Sequence, residues 1–506
     1  MSPTAGVVVS WWPGVAIALP LAGVAVSAAY GWSERRRAAV LAALSLGALL
    51  VALGLIREVL AGRMPEAHLL HMTAQLWMVL RIDAAGALYG ATVAALGLLA
   101  LTYAFGYVRP GPRRARFFAF FMACLACTLG VAYAGNLLTF LVFYEAFSVL
   151  TYALVIHEQT PAAIAAGTKY IAYILVGGSL VLAGVLLTFF LAGDLAFVGG
   201  GFLPVDAPRG QLLTAFWCFV VGFGVKAALV PLHGWVPDAH PAAPAPFSAV
   251  LSGVMVAAGA FGIMRVVFDV FGVGLFTALG VAPWLTAIAA ATVLVGAVLA
   301  LGQEDLKRRL AYSTISQMGY LTLAVSLAGS GVMAGGLVHL VHHAFMKGTL
   351  FFCAGLWIHV AGARRLGELR GVGARMPLTT AAFTLAALGM IGVPPLSGFV
   401  SKWWLGIGML EIGAGAALAV LLAGALLAAA YLLPVVYAAY FAPTRPGVAT
   451  PIRDRASGGA REAPWTMLGP TLAAAALTLA FGLGSHLRGF PLQLAERAVL
   501  AWFGGG

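Results

Sequence analysis

Apolar runs, each near or above the ~20 residues an α-helix needs to cross the hydrocarbon core of a bilayer, recur along nearly the whole chain. They lie at roughly 13–31, 38–56, 79–105, 116–135, 136–157, 168–192, 211–240, 244–271, 280–301, 310–329, 332–360, 378–411, 413–441 and 464–486. A segment at membrane depth has to satisfy its own backbone N–H and C=O groups, so it forms a helix or joins a closed barrel. Strand-like alternation is not visible, which argues against a barrel. The expected fold is therefore an all-α polytopic membrane protein of about 14 transmembrane helices. With 62% hydrophobic residues, 9% charged residues and a mean hydropathy of +0.98, the soluble class is excluded.

The formal net charge of +12 does not point to nucleic acid, because the cations fall in short clusters between apolar runs. One set of alternate loops holds Arg35 to Arg37, Arg109, Arg113, Arg114, Arg116, Lys307 to Arg309, Arg364, Arg365, Arg370, Arg375, Arg445, Arg453, Arg455 and Arg461. The other set holds Arg57, Arg63, Arg81, Arg209, Arg265, Arg488 and Arg497. Positively charged loops stay on the cytoplasmic side, so the richer set is expected there, in a plasma (inner) membrane, with both termini outside. Four basic residues remain, and all are lysines: Lys169, Lys226, Lys347 and Lys402. Arginine stays protonated almost anywhere, whereas a buried lysine can release and regain a proton. Lys169, near a helix end, can also snorkel to the surface. Cys124, Cys127, Cys218 and Cys353 all lie in apolar segments and read as packing residues. No basic residue precedes the first apolar run, so a cleaved signal peptide is not expected.

Two of the runs are interrupted. In the first, Lys226 stands five residues before Pro231, followed by Leu232-His233-Gly234-Trp235-Val236-Pro237-Asp238-Ala239-His240. In the second, Pro394-Pro395 precedes Lys402. Proline removes a helix hydrogen bond and frees carbonyls for water or side chains, and paired interruptions in two halves are a sequence pointer to a transport site. The expected organisation is N-terminal helices over 1–115, one five-helix repeat over 116–271, a second over 280–441, and a basic loop, last helix and tail over 442–506. An odd number of helices per repeat makes the two repeats inverted.

Glu145 lies among large apolar residues in the fifth run, where an acid needs a cationic partner or a proton; Lys226 is the candidate partner. A static buried pair would be a poor source of stability, which favours a transport role. His339, His343 and Lys347 are spaced i, i+4, i+8, so they line one helix face over a rise of roughly 12 Å and can form a proton relay with water between them. A metal site on the two histidines lacks a carboxylate or cysteine on that helix to complete it, so no metal is expected. His342 reads as an accessory or structural group, and Lys169, His233 and His240 as accessory candidates.

Tyr144-Glu145, Lys169-Tyr170, the Gly224-to-His240 stretch, Asp305-Leu-Lys-Arg-Arg-Leu-Ala-Tyr-Ser-Thr-Ile-Ser-Gln317, His339-x3-His343-Ala-Phe-Met-Lys347 and Pro394-Pro395-Leu-Ser-Gly-Phe-Val-Ser-Lys402-Trp together resemble the antiporter-type proton-translocating subunits shared by respiratory complex I, membrane-bound hydrogenases and Mrp-type multisubunit cation/proton antiporters. Within that group, Leu306-Lys-Arg-Arg-Leu-Ala-Tyr-Ser-Thr314 and Phe351-Phe-Cys-Ala-Gly355 are most similar to the D-type Mrp subunit, while His240-Pro-Ala-Ala-Pro244 resembles hydrogenase-associated subunits. The resemblance implies fourteen helices with inverted five-helix repeats, a Glu145–Lys226 pair, a central relay of His339, His343 and Lys347, and Lys402 as the terminal switch. It also implies other membrane subunits as partners and protons, with sodium or potassium, as cargo; the chain carries no flavin, iron–sulfur or nicotinamide motif, so no cofactor is expected in it. One departure stands out: Ala257 occupies the place of a helix-8 lysine, so a crossing between the halves would use water or His240. The expected function is proton translocation in a monovalent cation/proton antiporter complex. The alternatives are the same path driven by redox partners, and a non-conducting assembly scaffold.

Overall fold

The computed structural model describes every residue except 1–5, 30, 74–75, 443–461, 488 and 505–506. Arg445, Arg453, Arg455, Arg461 and Arg488, and most of the expected basic loop, thus lie outside the described residues. Among those described, ten helices are long and apolar enough to cross a membrane, and Trp12–Ala28 and Pro377–Ile391 are shorter apolar helices. Burial sorts them by composition. The most apolar 18-residue stretch of Ala245–Ala278 is entirely buried and those of Ala84–Tyr107 and Ser330–Ala361 are 83% buried, whereas Leu-rich Glu34–Leu60 and Gly415–Tyr440 are 28% and 33% buried. Small residues let the central helices approach: a methyl group at Gly259 would collide with the backbone of Phe223 and Ala227.

Both expected interruptions are present. The first separates Arg209–Lys226 from Val236–Ala242, and the second separates Pro377–Ile391 from Ser397–Glu411. Each contains one cis peptide, Val230–Pro231 and Pro394–Pro395, and all three prolines are exposed at the protein surface. The central helix Ala245–Ala278 carries two π-helical stretches, Leu251–Met255 and Val266–Phe271. Ala257 opens the α-helical turn between them.

Three features differ from the sequence-based expectation. The chain contains a small sheet: β1 (Gly6–Val9) pairs parallel with β2 (Arg63–Thr73), which pairs antiparallel with β3 (Leu76–Arg81). Consequently the helix expected from 79 begins at Ala84, capped by Asp83. The hydrophobic run conceals this boundary because Leu76-Trp-Met-Val-Leu80 is as apolar as the helix that follows. Second, two arginines assigned to loops are buried. Arg265 is 1% exposed and bridges Asp83 and Asp269, while Trp502 of the C-terminal helix Pro491–Phe503 donates its indole N–H to Asp269 at 2.7 Å. Arg309 is 4% exposed and donates to the carbonyls of Gln303 at 2.9 Å and Tyr431 at 2.8 Å, tying the loop after helix Ala282–Leu301 to the body of helix Gly415–Tyr440. Third, Lys307 is 5% exposed, a further buried lysine beyond those left over from the loops.

Candidate functional site

Lys226 is the last residue of helix Arg209–Lys226 and is fully buried. Its Nζ donates to the Tyr170 hydroxyl at 3.0 Å, and that hydroxyl donates to the Ser148 carbonyl at 2.7 Å. Aromatic faces close the rest of the shell: Phe147, Tyr170 and Trp235 have ring centroids 4.3, 5.3 and 5.9 Å from Nζ. An ammonium over a ring face is held by the ring quadrupole, so this cage accepts a cation without a carboxylate. At the chain break the Val225 carbonyl loses its helical partner four residues on and keeps a turn bond from the Ala228 N–H at 3.2 Å, and the Trp235 indole N–H, from beyond the break, bonds it at 2.8 Å.

The structure does not bring Glu145 and Lys226 into an ion pair. Glu145 packs its carboxyl group over Gly178, and its Oε1 is buried without a hydrogen-bond partner. The reason is helical phase: at 3.6 residues per turn, Glu145 and Phe147 point about 160° apart, and Phe147 is the one that faces Lys226.

In the second half, His339, His343 and Lys347 of helix Ser330–Leu356 are all buried, and the two imidazole centroids are 6.1 Å apart. Each has a different neighbour. His339 Nδ1 meets Ser401 Oγ at 3.0 Å and its Nε2 meets Gln317 Oε1 at 3.1 Å. His343 Nε2 donates to the Ser252 carbonyl at 3.3 Å, within the first π-helical stretch, and Ser252 Oγ pairs with Thr314 Oγ1 at 2.6 Å. Lys347 Nζ donates to the Leu310 carbonyl at 3.0 Å and to Ser313 Oγ. The histidine helix thereby touches the last helix of the first half and the helices of the second. Ser252, Thr314 and Gln317 are ordinary helix residues by sequence, and nothing short of the fold identifies them as contacts of the row.

Lys402 lies six residues into helix Ser397–Glu411 and turns back across the break. Its Nζ donates to the carbonyls of Met390 at 2.7 Å and Ile391 at 3.0 Å, the last of the helix before the break, with the Tyr320 ring 5.3 Å away. Since Tyr320 also stacks edge-on against His339 and Ser401 precedes Lys402, the lysine joins the histidine row. None of Lys226, Lys307, Lys347 and Lys402 forms an ion pair among the described residues; hydroxyls, carbonyls and rings surround them.

The accessory candidates divide. Lys169 is exposed and pairs with Asp238 at 2.8 Å, with Arg308 3.8 Å from the same carboxylate. His233 is half-buried, its Nδ1 unpartnered. His342 points away from the row and stacks on Phe481 of helix Trp465–Leu483. His240 is fully buried with neither ring nitrogen hydrogen-bonded. Such an array can hold and pass protons: its amines and imidazoles lack counter-ions, and a buried amine or imidazole can exist with or without its proton.

Residues 134–428 match the model of the NADH:quinone oxidoreductase/Mrp antiporter transmembrane family. The chain is 37% identical over 393 residues to NADH-quinone oxidoreductase subunit N of Desulforudis audaxviator, covering 75% of this chain and 77% of that one. It is 33% identical over 364 residues to hydrogenase-4 component B of Escherichia coli, covering 69% of this chain and about half, 53%, of that protein. Its fold is shared with a chain of the Mrp complex from Dietzia sp. DQ12-45-1b, at a TM-score of 0.86, 24% identity and 98% coverage of both chains. Built on that fold, with two broken helices and a buried row of histidines and lysines, and matched by the family model over more than half its length, this chain belongs to the NADH:quinone oxidoreductase/Mrp antiporter transmembrane family.

Proposed function

We propose that this chain is a proton-translocating subunit of a multisubunit monovalent cation/proton antiporter complex. The observation that carries the reading is the set of buried lysines at the two breaks, Lys226 and Lys402, with His339, His343 and Lys347 between them and no carboxylate ion pair on any of the lysines. Buried amines of this kind are costly to keep for stability alone and are suited to taking up and releasing protons. When Glu145 swings toward Lys226 its charge holds the ammonium; when it withdraws, as in the arrangement described above, the amine rests on Tyr170 and its proton is free to move toward the histidine row and Lys402. The two breaks support inverted five-helix repeats over 116–271 and 280–441, and the arginine-rich loops support a plasma-membrane orientation with those loops cytoplasmic.

The test is ion-driven proton flux in vesicles containing the assembled complex. Lys226→Ala or Glu145→Ala abolishes coupled flux on this reading; undiminished flux would overturn it. A second reading has a specific observation in its favour: the two curated relatives above are subunits of a quinone oxidoreductase and a hydrogenase. There the same path is driven by electron transfer in partner subunits. Purification through a tag on this chain separates the two, since metal-cluster subunits accompany the redox complex and only membrane subunits the antiporter.

A further inference from the structure

Near the ends of helices Ala84–Tyr107, Leu137–Val155 and Ser330–Ala361, on the arginine-rich face, lies a cavity of about 590 Å³. Tyr107, Arg109, His157, Glu158, Pro244 and His359 are among its lining residues. His157 is 7% exposed, and its Nδ1 has no partner in the protein. Two arginines of the wall are engaged elsewhere: Arg113 donates to the Glu158 carbonyl at 3.1 Å, and Arg114 to the carbonyls of Val108 and Phe105 at 3.0 Å. Their guanidiniums brace helix ends and do not build an anion site.

Behind the Pro244 wall is the carbonyl of Ala243, which accepts from Lys307 Nζ at 2.5 Å; the same amine reaches the Pro241 carbonyl at 3.2 Å. Its two acceptors bracket the end of the short helix Val236–Ala242, and His240 stands in that last turn. The His240 ring is layered between Trp235, at 6.4 Å, and Phe351, at 5.5 Å. Trp235 is a wall of the Lys226 cage, and Phe351 lies one helical turn, roughly 6 Å, beyond Lys347 on the same face. An imidazole buried with both nitrogens unsatisfied is costly, and water is the partner that removes this cost.

We infer that this cavity is a proton access site that feeds the buried row midway, through Lys307 and His240, and not at either broken-helix lysine. Water in the cavity, exchanging protons with His157, Glu158 and His359, protonates the Lys307 amine. The ammonium returns that proton through water to one nitrogen of His240, and the imidazolium releases the proton on its other nitrogen toward Lys226 or Lys347. One proton enters and one leaves, and only N–H and O–H bonds change. The inference rests on the proton-translocating reading and adds where protons join the path.

The experiment uses the intact complex in inside-out vesicles, with a pH-sensitive dye and either a sodium or potassium gradient or a reduced electron donor. In a Cys218→Ser background, Arg109→Cys is labelled with a bulky, membrane-impermeant thiol reagent. Flux is expected to fall about fivefold and to recover when a reductant removes the label. Separately, His240→Phe keeps the ring stack but cannot carry a proton, and lowers flux by about tenfold or more at normal assembly. Should that variant not assemble, His240→Gln is held to the same criterion. The inference is overturned if labelled Arg109→Cys and His240→Phe both keep more than half the flux while Lys226→Ala abolishes it. If Lys226→Ala itself leaves flux intact, the proton-translocating reading falls first, so the two failures are distinguishable.

Discussion

The two broken helices solve the same problem in opposite ways. At each, a helix stops, leaves carbonyls without their helical N–H partners four residues on, and has a lysine close by. At the first, the indole of Trp235 takes the freed Val225 carbonyl, and Lys226 is left to a hydroxyl and three aromatic faces. At the second, no indole intervenes, and Lys402 itself takes the freed carbonyls of Met390 and Ile391. One lysine is thus bound by side chains, two of them, Phe147 and Tyr170, on other helices that can move relative to it; the other is bound by the backbone of its own broken helix. The first half also holds an acid, Glu145, two residues along its helix from the cage, and no such acid approaches Lys402 among the described residues. On the proposed mechanism, the first break is where an approaching charge modulates the proton, and the second is a backbone-bound terminus whose state follows the histidine row.

Removing either lysine should have the largest effect. Lys226→Met and Lys402→Met are each expected to lower coupled proton flux by about 10²-fold or more, measured in vesicles at equal assembly, because each deletes a proton carrier outright. Retained flux in only one of them would show that the breaks are not both on the path. Trp235→Phe keeps an aromatic face at the first break and deletes the indole N–H that bonds the Val225 carbonyl. The carbonyl keeps its bond from the Ala228 N–H, so the loss is that of one hydrogen bond, about 0.5–1.5 kcal/mol, read as a small downward shift in thermal unfolding of the purified complex; an unchanged midpoint would show that the indole bond does not hold the break.

Tyr170→Phe tests the soft side of the contrast more finely. It deletes the hydroxyl and keeps the ring, for a loss of about 0.5–1.5 kcal/mol in holding the amine, read as a severalfold fall in flux with little change in stability. Ser401→Ala is its counterpart next to Lys402, removing one of the two His339 partners; a comparable or smaller fall in flux is expected. Lys169→Ala should do least. Its pair with Asp238 is exposed, so stability should change by about 0–1 kcal/mol in thermal unfolding, and flux should stay near that of the unmodified protein.

Much of this arrangement is legible in the chain before it folds. The breaks are readable because proline has a local, context-independent effect on a helix, and the His339–His343–Lys347 face because the i, i+4, i+8 spacing acts within one helix. Where partners come from different helices, the reading weakens. Glu145 and Lys226 look like a pair by charge, yet helical phase turns the acid toward Gly178 and gives the lysine Tyr170 instead. Lys307 sits in a run of basic residues that reads as a loop, and only the packing of helix Leu306–Leu327 against Val236–Ala242 buries it. Arg265 reads as a flanking cation because its partners, Asp83 and Asp269, include one 182 residues away. The β1–β3 sheet was hidden for a related reason, since an apolar strand leading into an apolar helix leaves no change of period to see.

By itself the sequence determined that this chain spans a membrane many times, where its two long helices break, and which residue types could carry protons at that depth. These follow from hydrophobicity, backbone chemistry and spacing within one helix, all of which are local. Only the tertiary structure decided that Lys226 rests on a tyrosine and an aromatic cage, that Lys402 closes its own break, and that Lys307 reaches the backbone of the short helix that carries His240. Those outcomes depend on the rotation and depth at which separate helices face one another, and no local pattern encodes that relation.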